Sequence, residues 1–318
     1  THALSTRALD PAGNSSSSPT VPVVVDTVVP VVNVGADFYA KTGYQDSLSA
    51  TVVEANLHAI SWTRESGVEV GFGAPASTTT SLSSSTDGLA VLRCTVTDSA
   101  GNAAFDEVSM TWDATAPSAG AWRVDGAAAY ALTAGVTLAP VVDPTDATSG
   151  VYQMQFSNNG TLWSAWEEYS SSKAWNLVTG EGGTTTEGAR TVRFRVRDRA
   201  LNVSATVDDS IIYDATAPTS GAWYVNAGNP TYTNSAVVNI VAATAPADSG
   251  SGIAQIRFSN NGGAAWSAWE AYGTPKAWDL QTGAGGSATQ GTRAVTVQVM
   301  DGAGRTSATT SDSIVYDY

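Results

Sequence analysis

The sequence has very little cysteine or histidine. Cys94 is the one cysteine, and His2 and His58 are the two histidines among 318 residues. A single cysteine excludes an internal disulfide framework and a cysteine-rich zinc or iron–sulfur site. A histidine metal site would have to recruit both histidines from distant positions, and a Ser-His-Asp triad would need His58, which lies in an apolar, strand-like run. We therefore expect no enzymatic activity and no catalytic residues.

Positive charge is also scarce. Lys and Arg together number 15 against 29 Asp and Glu, which gives a formal net charge of −14. Phosphate backbones would be repelled by this charge, so nucleic-acid binding is excluded. Acidity of this size fits a protein that is soluble outside a cell, and it supplies the carboxylates that calcium prefers.

Long apolar runs are missing. The valine-rich stretch from Val21 to Val34 is interrupted by Asp26 and by two prolines, so it does not predict a membrane span. The sequence starts at Thr1 without a basic leader followed by an apolar segment. A signal peptide already removed and a fragment of a longer chain are both open explanations.

An internal repeat organises the chain. Asp113-Ala114-Thr115-Ala116-Pro117 recurs at Asp214 to Pro218, a looser copy lies at Asp26 to Pro30, and Asp317 occupies the same closing position near the end. Further landmarks match between the second and third copies, including Phe156 to Gly160 with Phe258 to Gly262, Trp163 to Glu167 with Trp266 to Glu270, and Lys173 to Trp175 with Lys276 to Trp278. The repeat predicts a flexible Ser-rich linker over 1–20 and three related domains over 21–113, 114–214 and 215–318.

Strand and turn signals fill each copy. Val192 to Arg197 alternates apolar and polar residues, and Asp-x-Ala-Gly-Asn sequences predict the hairpin between the last two strands. Leu201 stands where the other copies have glycine, so its turn is expected to differ. Asn158-Asn159-Gly160 predicts a second hairpin that joins Gln153–Ser157 to a strand over Leu162–Tyr169. On such a strand, Trp163 and Trp166 would face opposite sides.

Turn signals every 8 to 12 residues and no convincing helix predict an all-β protein of antiparallel β-sandwiches. At the junctions and near the domain ends, the Asp-x-Thr-Ala-Pro and Asp-x-Ala-Gly-Asn sequences resemble those of bacterial immunoglobulin-like repeats. The resemblance is strong over Asp113 to Asp317 and weaker in the first copy, which is a divergent immunoglobulin-like or cadherin-like domain. It implies three tandem immunoglobulin-like sandwiches in an elongated arrangement, as in an extracellular stalk, an adhesin arm or an accessory domain beside a catalytic one.

Aromatic residues in the Trp-rich segments are the first candidate site. An exposed Trp beside a Tyr could stack on a sugar ring, but the same residues could equally pack within or between domains. The candidate ligand-binding residues are Trp163, Trp166, Tyr169, Trp266, Trp269 and Tyr272.

Carboxylates are the second candidate site. Asp26, Asp113 and Asp214 at the junctions are candidate calcium ligands, together with loop carboxylates such as Asp98, Asp143, Asp146, Asp198 and Asp248. The alternative is that these carboxylates accept hydrogen bonds from turn amides, and Asp98, Asp198 and Asp301 are expected to cap turns in this way.

The sequence thus predicts a non-enzymatic, secreted or cell-surface segment of an adhesin or stalk, with a surface glycan or protein as candidate partner. One alternative is a fibre subunit whose Val21–Val25 strand completes the open sandwich of another copy. Another is an accessory carbohydrate-binding region of a larger secreted hydrolase.

Overall fold

A computed structural model describes residues 2–226 and 231–318. These residues form β-strands and one 3-10 turn, Asp125–Ala127, which confirms the all-β prediction. The chain divides into two compact units. The first comprises Thr1–Ser118, Thr145–Tyr152 and Val196–Ser204, and the second Ala119–Pro144, Gln153–Arg195 and Ala205–Tyr318. The boundaries after residues 20, 113 and 214, and the elongated arrangement, stay predictions.

Residues 2–23 form short strands, where a flexible linker is expected over residues 1–20. They are β1 (His2–Leu4), β2 (Arg7–Leu9), β3 (Ser15–Ser17) and β4 (Val21–Val23). β1 pairs antiparallel with β4, and β2 pairs antiparallel with β3. Together they make one hairpin-like arm, in which Leu4, Leu9 and Val21 are exposed.

A second set of strands follows over residues 31–112. These strands are β5 (Val31–Asn33), β6 (Phe38–Ala40), β7 (Ser47–Ser49), β8 (Thr51–Val53), β9 (Leu57–Gly67), β10 (Gly71–Phe72), β11 (Thr79–Ser83), β12 (Gly88–Asp98) and β13 (Ala103–Trp112). A four-stranded sheet in the order β6-β13-β12-β9 faces a three-stranded sheet, β10-β11-β7, and β5 pairs with β8. Alternate residues of β12 point into the core, so Cys94 is buried beside Trp62 and Met110 as its register predicts.

Two further sets of strands share one topology. The first contains β14 (Ala121–Val124), β15 (Tyr130–Ala131), β16 (Gly135–Val142), β17 (Val151–Ser157), β18 (Glu167–Glu168), β19 (Lys173–Asn176), β20 (Gly188–Asp198) and β21 (Val207–Tyr213). The second contains β22 (Ala222–Val225), β23 (Tyr232–Thr233), β24 (Val237–Thr244), β25 (Ile253–Ser259), β26 (Glu270–Ala271), β27 (Lys276–Asp279), β28 (Gly291–Asp301) and β29 (Thr310–Tyr316).

The sheet orders of these two sets are identical. The order β14-β16-β19 corresponds to β22-β24-β27, and β15-β21-β20-β17-β18 corresponds to β23-β29-β28-β25-β26. In each larger sheet a short edge strand runs parallel to the closing strand, as Tyr130 opposite Ile212 and Tyr232 opposite Val315 show. The other strand pairs given for these sheets are antiparallel. Two facing sheets with this order form an immunoglobulin-like sandwich.

The Asp-x-Ala-Gly-Asn turns close the last hairpin of each set, as predicted. The amide of Asp98 donates to the carbonyl oxygen of Asn102 (3.0 Å), and the amide of Asp198 donates to that of Asn202 (3.1 Å). Leu201 takes φ 63° where Gly101 has φ 94°. The expectation that this turn would differ is wrong, because the hairpin bonds force Leu201 into the left-handed region at a cost of about 1–2 kcal/mol.

The second predicted hairpin is only partly correct. β17 pairs antiparallel with β18, as Gln153 opposite Glu168 shows, but β18 has two residues and not the eight predicted over Leu162–Tyr169. Residues 158–166 between them form no strand. The physical reason lies in the side chains of Trp163 and Trp166, described below.

Candidate functional site

Asp26, Asp113 and Asp214, the predicted junction ligands, each lie in a group of three carboxylates. We call these groups the first triad (Asp26, Glu54 and Asp98), the second triad (Asp113, Asp146 and Asp198) and the third triad (Asp214, Asp248 and Asp301). In each triad, one oxygen from every residue lies within 4.8 Å of the others.

The repeat explains why the triads recur. One member follows a closing strand, as Asp113 follows β13 and Asp214 follows β21. Another ends the strand that leads into the Asp-x-Ala-Gly-Asn turn, as Asp198 ends β20 and Asp301 ends β28. The remaining member comes from a loop, which precedes β17 or β25 in the second and third triads and follows β8 in the first.

The second triad is extensively hydrogen-bonded by its own loops. Asp146 Oδ1 accepts from the amides of Ser149 (2.9 Å) and Gly150 (2.7 Å). Asn202 Nδ2 donates to Asp198 Oδ2 (2.8 Å) and to the carbonyl oxygen of Asp113 (2.9 Å). Burial, followed by the charges of Asp113 and Asp146, raises the pKa of Asp198. This triad therefore combines mutual repulsion with well-satisfied oxygens.

Lysine adds a positive charge beside the second triad. Lys41 Nζ lies 3.0 Å from Asn202 Oδ1, the other end of the amide that holds Asp198. The guanidinium of Arg199 also donates to the carbonyl oxygen of Ser149 (2.8 Å). Part of the negative charge is thus offset by neighbouring side chains.

The third triad is hydrogen-bonded less completely than the second. Arg305 stands where the second triad has Asn202, and its backbone amide donates to Asp301 Oδ1 (2.8 Å). Asp301 Oδ2, Asp214 Oδ1 and Asp248 Oδ1 are buried oxygens without a hydrogen-bond donor. Asp214 is 0% exposed and Asp301 is 1% exposed. Burial, followed by the charges of Asp214 and Asp248, raises the pKa of Asp301.

Buried carboxylate oxygens without donors carry a large free-energy penalty unless a cation or a proton neutralises them. Calcium takes six to eight oxygen ligands and accepts carboxylates, carbonyls and water in flexible geometry. Cysteine sulfur and histidine nitrogen are absent from all three triads, so their donor set suits calcium better than zinc or copper.

The first triad is more open than the others. Asp26 and Glu54 are half-buried, and a pocket of about 210 Å³ is lined by Val24, Asp26, Asn56, Ser99 and Ala100. Asn102 Nδ2 donates to Asp98 Oδ2 (2.7 Å) and to the carbonyl oxygen of Asp26 (3.1 Å). This triad repeats the bonding of the second triad with better access to water.

The predicted turn caps are present within the same triads. Asp98 Oδ1 accepts from the amides of Ala100 (2.9 Å) and Asn102 (2.8 Å), and Asp198 Oδ1 accepts from that of Asn202 (2.8 Å). Asp143 lies instead beside Tyr169, with its Oδ1 3.5 Å from the hydroxyl oxygen. Capping and clustering therefore involve the same carboxylates, and sequence reasoning missed Glu54 and Asp301 as cluster members.

Trp163 and Trp166 converge on one cation. The guanidinium carbon of Arg195 lies 4.1 Å from the ring centroid of Trp163 and 5.6 Å from that of Trp166. The prediction that these rings face opposite sides is wrong, because the chain between them leaves the sheet to place both rings on Arg195. Both rings are half-buried.

The third copy builds the same stack from a different strand. Arg257 of β25 lies 4.5 Å from the centroid of Trp266 and 4.4 Å from that of Trp269. Its Nε donates to Gln298 of β28 (2.9 Å), whereas Arg195 of β20 donates to Gln155 of β17 (2.9 Å). Arg and Gln have therefore exchanged strands between the two copies while the hydrogen bond and the stack persist.

The two tyrosines of the candidate set pack elsewhere. Tyr169 meets Trp122 edge-on, with ring centroids 6.4 Å apart, and burial followed by Asp143 raises its pKa. Tyr272 packs against the core that contains Phe258, as Trp278 also does. Each Trp pair is thus brought together, but the tyrosines belong to the sandwich packing.

His58 and Cys94 are the two residues of catalytic type for which we expect no catalytic role. His58 lies exposed on β9. Cys94 is fully buried, and desolvation followed by the charge of Asp106 raises the pKa of its thiol to about 11. Among the described residues, no helix is long and apolar enough to cross a membrane.

We expect Cys94 in the native chain to resist alkylation. Only the thiolate reacts, and burial both hides the sulfur and suppresses ionisation. Iodoacetamide labelling at pH 8, followed by mass spectrometry, should show at least a tenfold slower reaction than in guanidinium-unfolded protein. Equal labelling rates in native and unfolded protein would show that the sandwich over residues 31–112 opens readily.

Comparisons with known proteins place the fold in context. No protein-family model matches the chain, and no curated protein matches it. A tetra-tandem repeat from the extending region of a large adhesion protein is 20% identical, with 98% of this chain and 80% of that chain covered and a TM-score of 0.35. A Ca²⁺-stabilised adhesin with which an Antarctic bacterium binds ice is 16% identical, with 98% and 80% covered and a TM-score of 0.36. Fibronectin(III)-like modules of Clostridium thermocellum CbhA are 13% identical, with 57% and 94% covered and a TM-score of 0.37.

These TM-scores lie below 0.5, so the fold assignment depends on the sheet order and register of the chain itself. Those features define tandem immunoglobulin-like β-sandwiches, as the sequence predicts.

Proposed function

We propose that the chain is a non-enzymatic, extracellular adhesive or spacer arm whose repeats bind calcium at the three triads. The third triad carries this proposal, because three of its carboxylate oxygens are buried without a hydrogen-bond donor. A calcium ion there would coordinate Asp214, Asp248 and Asp301 together, offset two of their three negative charges, and connect the closing strand to two loops. Calcium sites in extracellular modules bind with Kd values of about 10⁻⁴–10⁻³ M, so sites of even modest affinity suit a secreted protein.

Calcium titration tests this proposal directly. Isothermal titration calorimetry of the full chain with CaCl₂ is expected to show saturable binding, with MgCl₂ as the control cation. Mg²⁺ demands near-ideal octahedral geometry and dehydrates reluctantly, so it should bind at least tenfold more weakly. The absence of calcium-dependent heat, together with an unchanged unfolding temperature in chelator, would contradict the proposal.

A recognition role for the Trp stacks is a second candidate function. Trp163 and Trp166, like Trp266 and Trp269, are half-buried, so part of each ring stays accessible beside a fixed guanidinium. Such a surface could stack on the apolar face of a sugar, while Tyr169 and Tyr272 pack in the sandwiches and take no direct part. The partner class is a surface glycan, or a protein that presents aromatic or carboxylate groups.

A glycan screen with matched variants tests this role. Binding to a surface glycan is expected to fall at least tenfold in a Trp166→Ala, Trp269→Ala double variant. Tyr224→Ala provides the control, because it removes an aromatic ring that is 47% exposed and lies outside both stacks. Binding that is equal in both variants, or absent from the wild-type chain, would leave the stacks with a purely structural role.

A further inference from the structure

The N-terminal arm contains a fourth copy of the closing turn. Asp10-Pro11-Ala12-Gly13-Asn14 follows the Asp-x-Ala-Gly-Asn pattern. The amide of Asp10 donates to the carbonyl oxygen of Asn14 (3.0 Å), and Asn14 Nδ2 donates to Asp10 Oδ2 (2.8 Å). The same pair of bonds joins Asp98 to Asn102 and Asp198 to Asn202.

The strands of the arm have the register of a closing hairpin. Sixteen residues separate Asp10 from Asp26, and the same spacing separates Asp198 from Asp214 and Asp301 from Asp317. Counted from these aspartates, Leu4 corresponds to Val192 and Val295, and Val21 corresponds to Asp209 and Asp312. Leu4 pairs with Val21, Val192 with Asp209, and Val295 with Asp312.

Core positions of the complete hairpins are exposed in the arm. Leu4 is 62% exposed, whereas Val192 and Val295 are each 1% exposed. Val25 is also 62% exposed, whereas its counterparts Tyr213 and Tyr316 are 9% and 4% exposed. The arm therefore presents an apolar face that every complete repeat covers with its other strands.

We propose that residues 2–26 are the closing hairpin of a fourth immunoglobulin-like sandwich and form an acceptor surface for its remaining strands. The occupant is the remaining strand set of an immunoglobulin-like unit of the same repeat class, one without a closing hairpin of its own, whether it belongs to the same polypeptide or to another. This inference goes beyond the proposed function, because it concerns how a further sandwich is completed and requires neither calcium nor a glycan.

The complete repeats show what such an occupant must supply. Beside each closing hairpin lie a short parallel strand on one edge (β15 or β23) and an antiparallel strand on the other (β17 or β25). A three-stranded sheet then covers the apolar face. Backbone pairing on both edges supplies affinity, and the alternate apolar side chains of the hairpin supply register. An intact second copy is a poor occupant, because the second and third strand sets each retain their own closing hairpin, β20–β21 or β28–β29.

A fusion of the full chain with repeat strands tests the proposal. Residues 119–188 of the chain, which lead into β20, are joined directly ahead of Thr1 so that they meet the arm in the register of the second repeat. Hydrogen exchange of peptides covering residues 2–25 is expected to slow at least tenfold relative to the unfused chain.

Matched variants make the result specific. Leu4→Asp with Val25→Asp in the fusion should abolish the protection, whereas Ala3→Asp, on the opposite face of β1, should retain it. Unchanged exchange in the fusion would overturn the proposal. So would an unfused chain in which the arm is already protected and sedimentation shows a dimer, since a second copy would then be the occupant.

Discussion

Replacing Asp301 by asparagine is expected to change stability in opposite directions with and without calcium. In chelator, Asp301→Asn should stabilise the third sandwich by about 1–2 kcal/mol, because it removes a buried charge whose Oδ2 has no donor. The new amide can occupy the Oδ2 position and leave the bond from the Arg305 amide to Oδ1 intact, and oxygens of Asp214 and Asp248 lie within 4.8 Å of an Asp301 oxygen as nearby acceptors.

In calcium the same substitution removes a ligand. Calcium at 100 times its Kd stabilises a folded site by about 2.7 kcal/mol, and the variant should lose most of this gain. For a unit of about 100 residues, each kcal/mol corresponds to a shift in Tm of about 4–8 °C. Thermal unfolding followed by calorimetry, in CaCl₂ at 100 times the Kd found by titration and in EDTA, should therefore show the wild type and variant changing order.

Asp198→Asn is the matched control in the second triad. Both oxygens of Asp198 already accept hydrogen bonds, from the amide and from the side chain of Asn202. An asparagine there must place its own NH₂ against a donor, so in chelator it should destabilise by about 1–2 kcal/mol, where Asp301→Asn stabilises, and in CaCl₂ it should lose calcium stabilisation as well. If Asp198→Asn and Asp301→Asn behave alike, the unpaired oxygens of the third triad have no bearing on cation binding.

The comparison of triads also shows which part of the site can be predicted from sequence. Asp26, Asp113 and Asp214 are recognisable because they belong to a repeated motif, and each does lie in a triad. Glu54 follows β8 without a repeated signal, and its proximity to Asp98 depends on tertiary folding. Asp301 was detectable as a turn cap, but its second role arises only when the loop that carries Asp248 folds against it.

Local signals predict the turns better than they predict the strands. The Asp-x-Ala-Gly-Asn hairpins form as predicted, since Asp bonding to nearby amides is a short-range effect. The strand over Leu162–Tyr169 fails because alternation cannot anticipate two rings that turn toward Arg195. The serine-rich composition of residues 1–20 suggested a linker, although Asp10 to Asn14 already carried the turn motif.

Exchanging Arg and Gln between strands in the second repeat is expected to restore a stack that a single substitution breaks. Arg195→Gln should destabilise the second sandwich by about 1–3 kcal/mol, because it removes the cation between Trp163 and Trp166 and the hydrogen bond to Gln155. Gln155→Arg alone should also destabilise, because it places two guanidinium groups side by side on β17 and β20.

The double variant, Gln155→Arg with Arg195→Gln, reproduces the arrangement that the third repeat already has with Arg257 and Gln298. Its stability should return to within about 1 kcal/mol of wild type, which gives a coupling energy of about 1–3 kcal/mol in a double-mutant cycle. Urea unfolding monitored by Trp fluorescence measures both the free energy and the environment of the rings. Additive losses would mean that the two positions act independently and that the shared hydrogen bond is incidental. A full return of stability in the double variant would show that the rings require a cation between them but not a particular strand to supply it. The stacks of the two repeats would then present the same surface to any glycan.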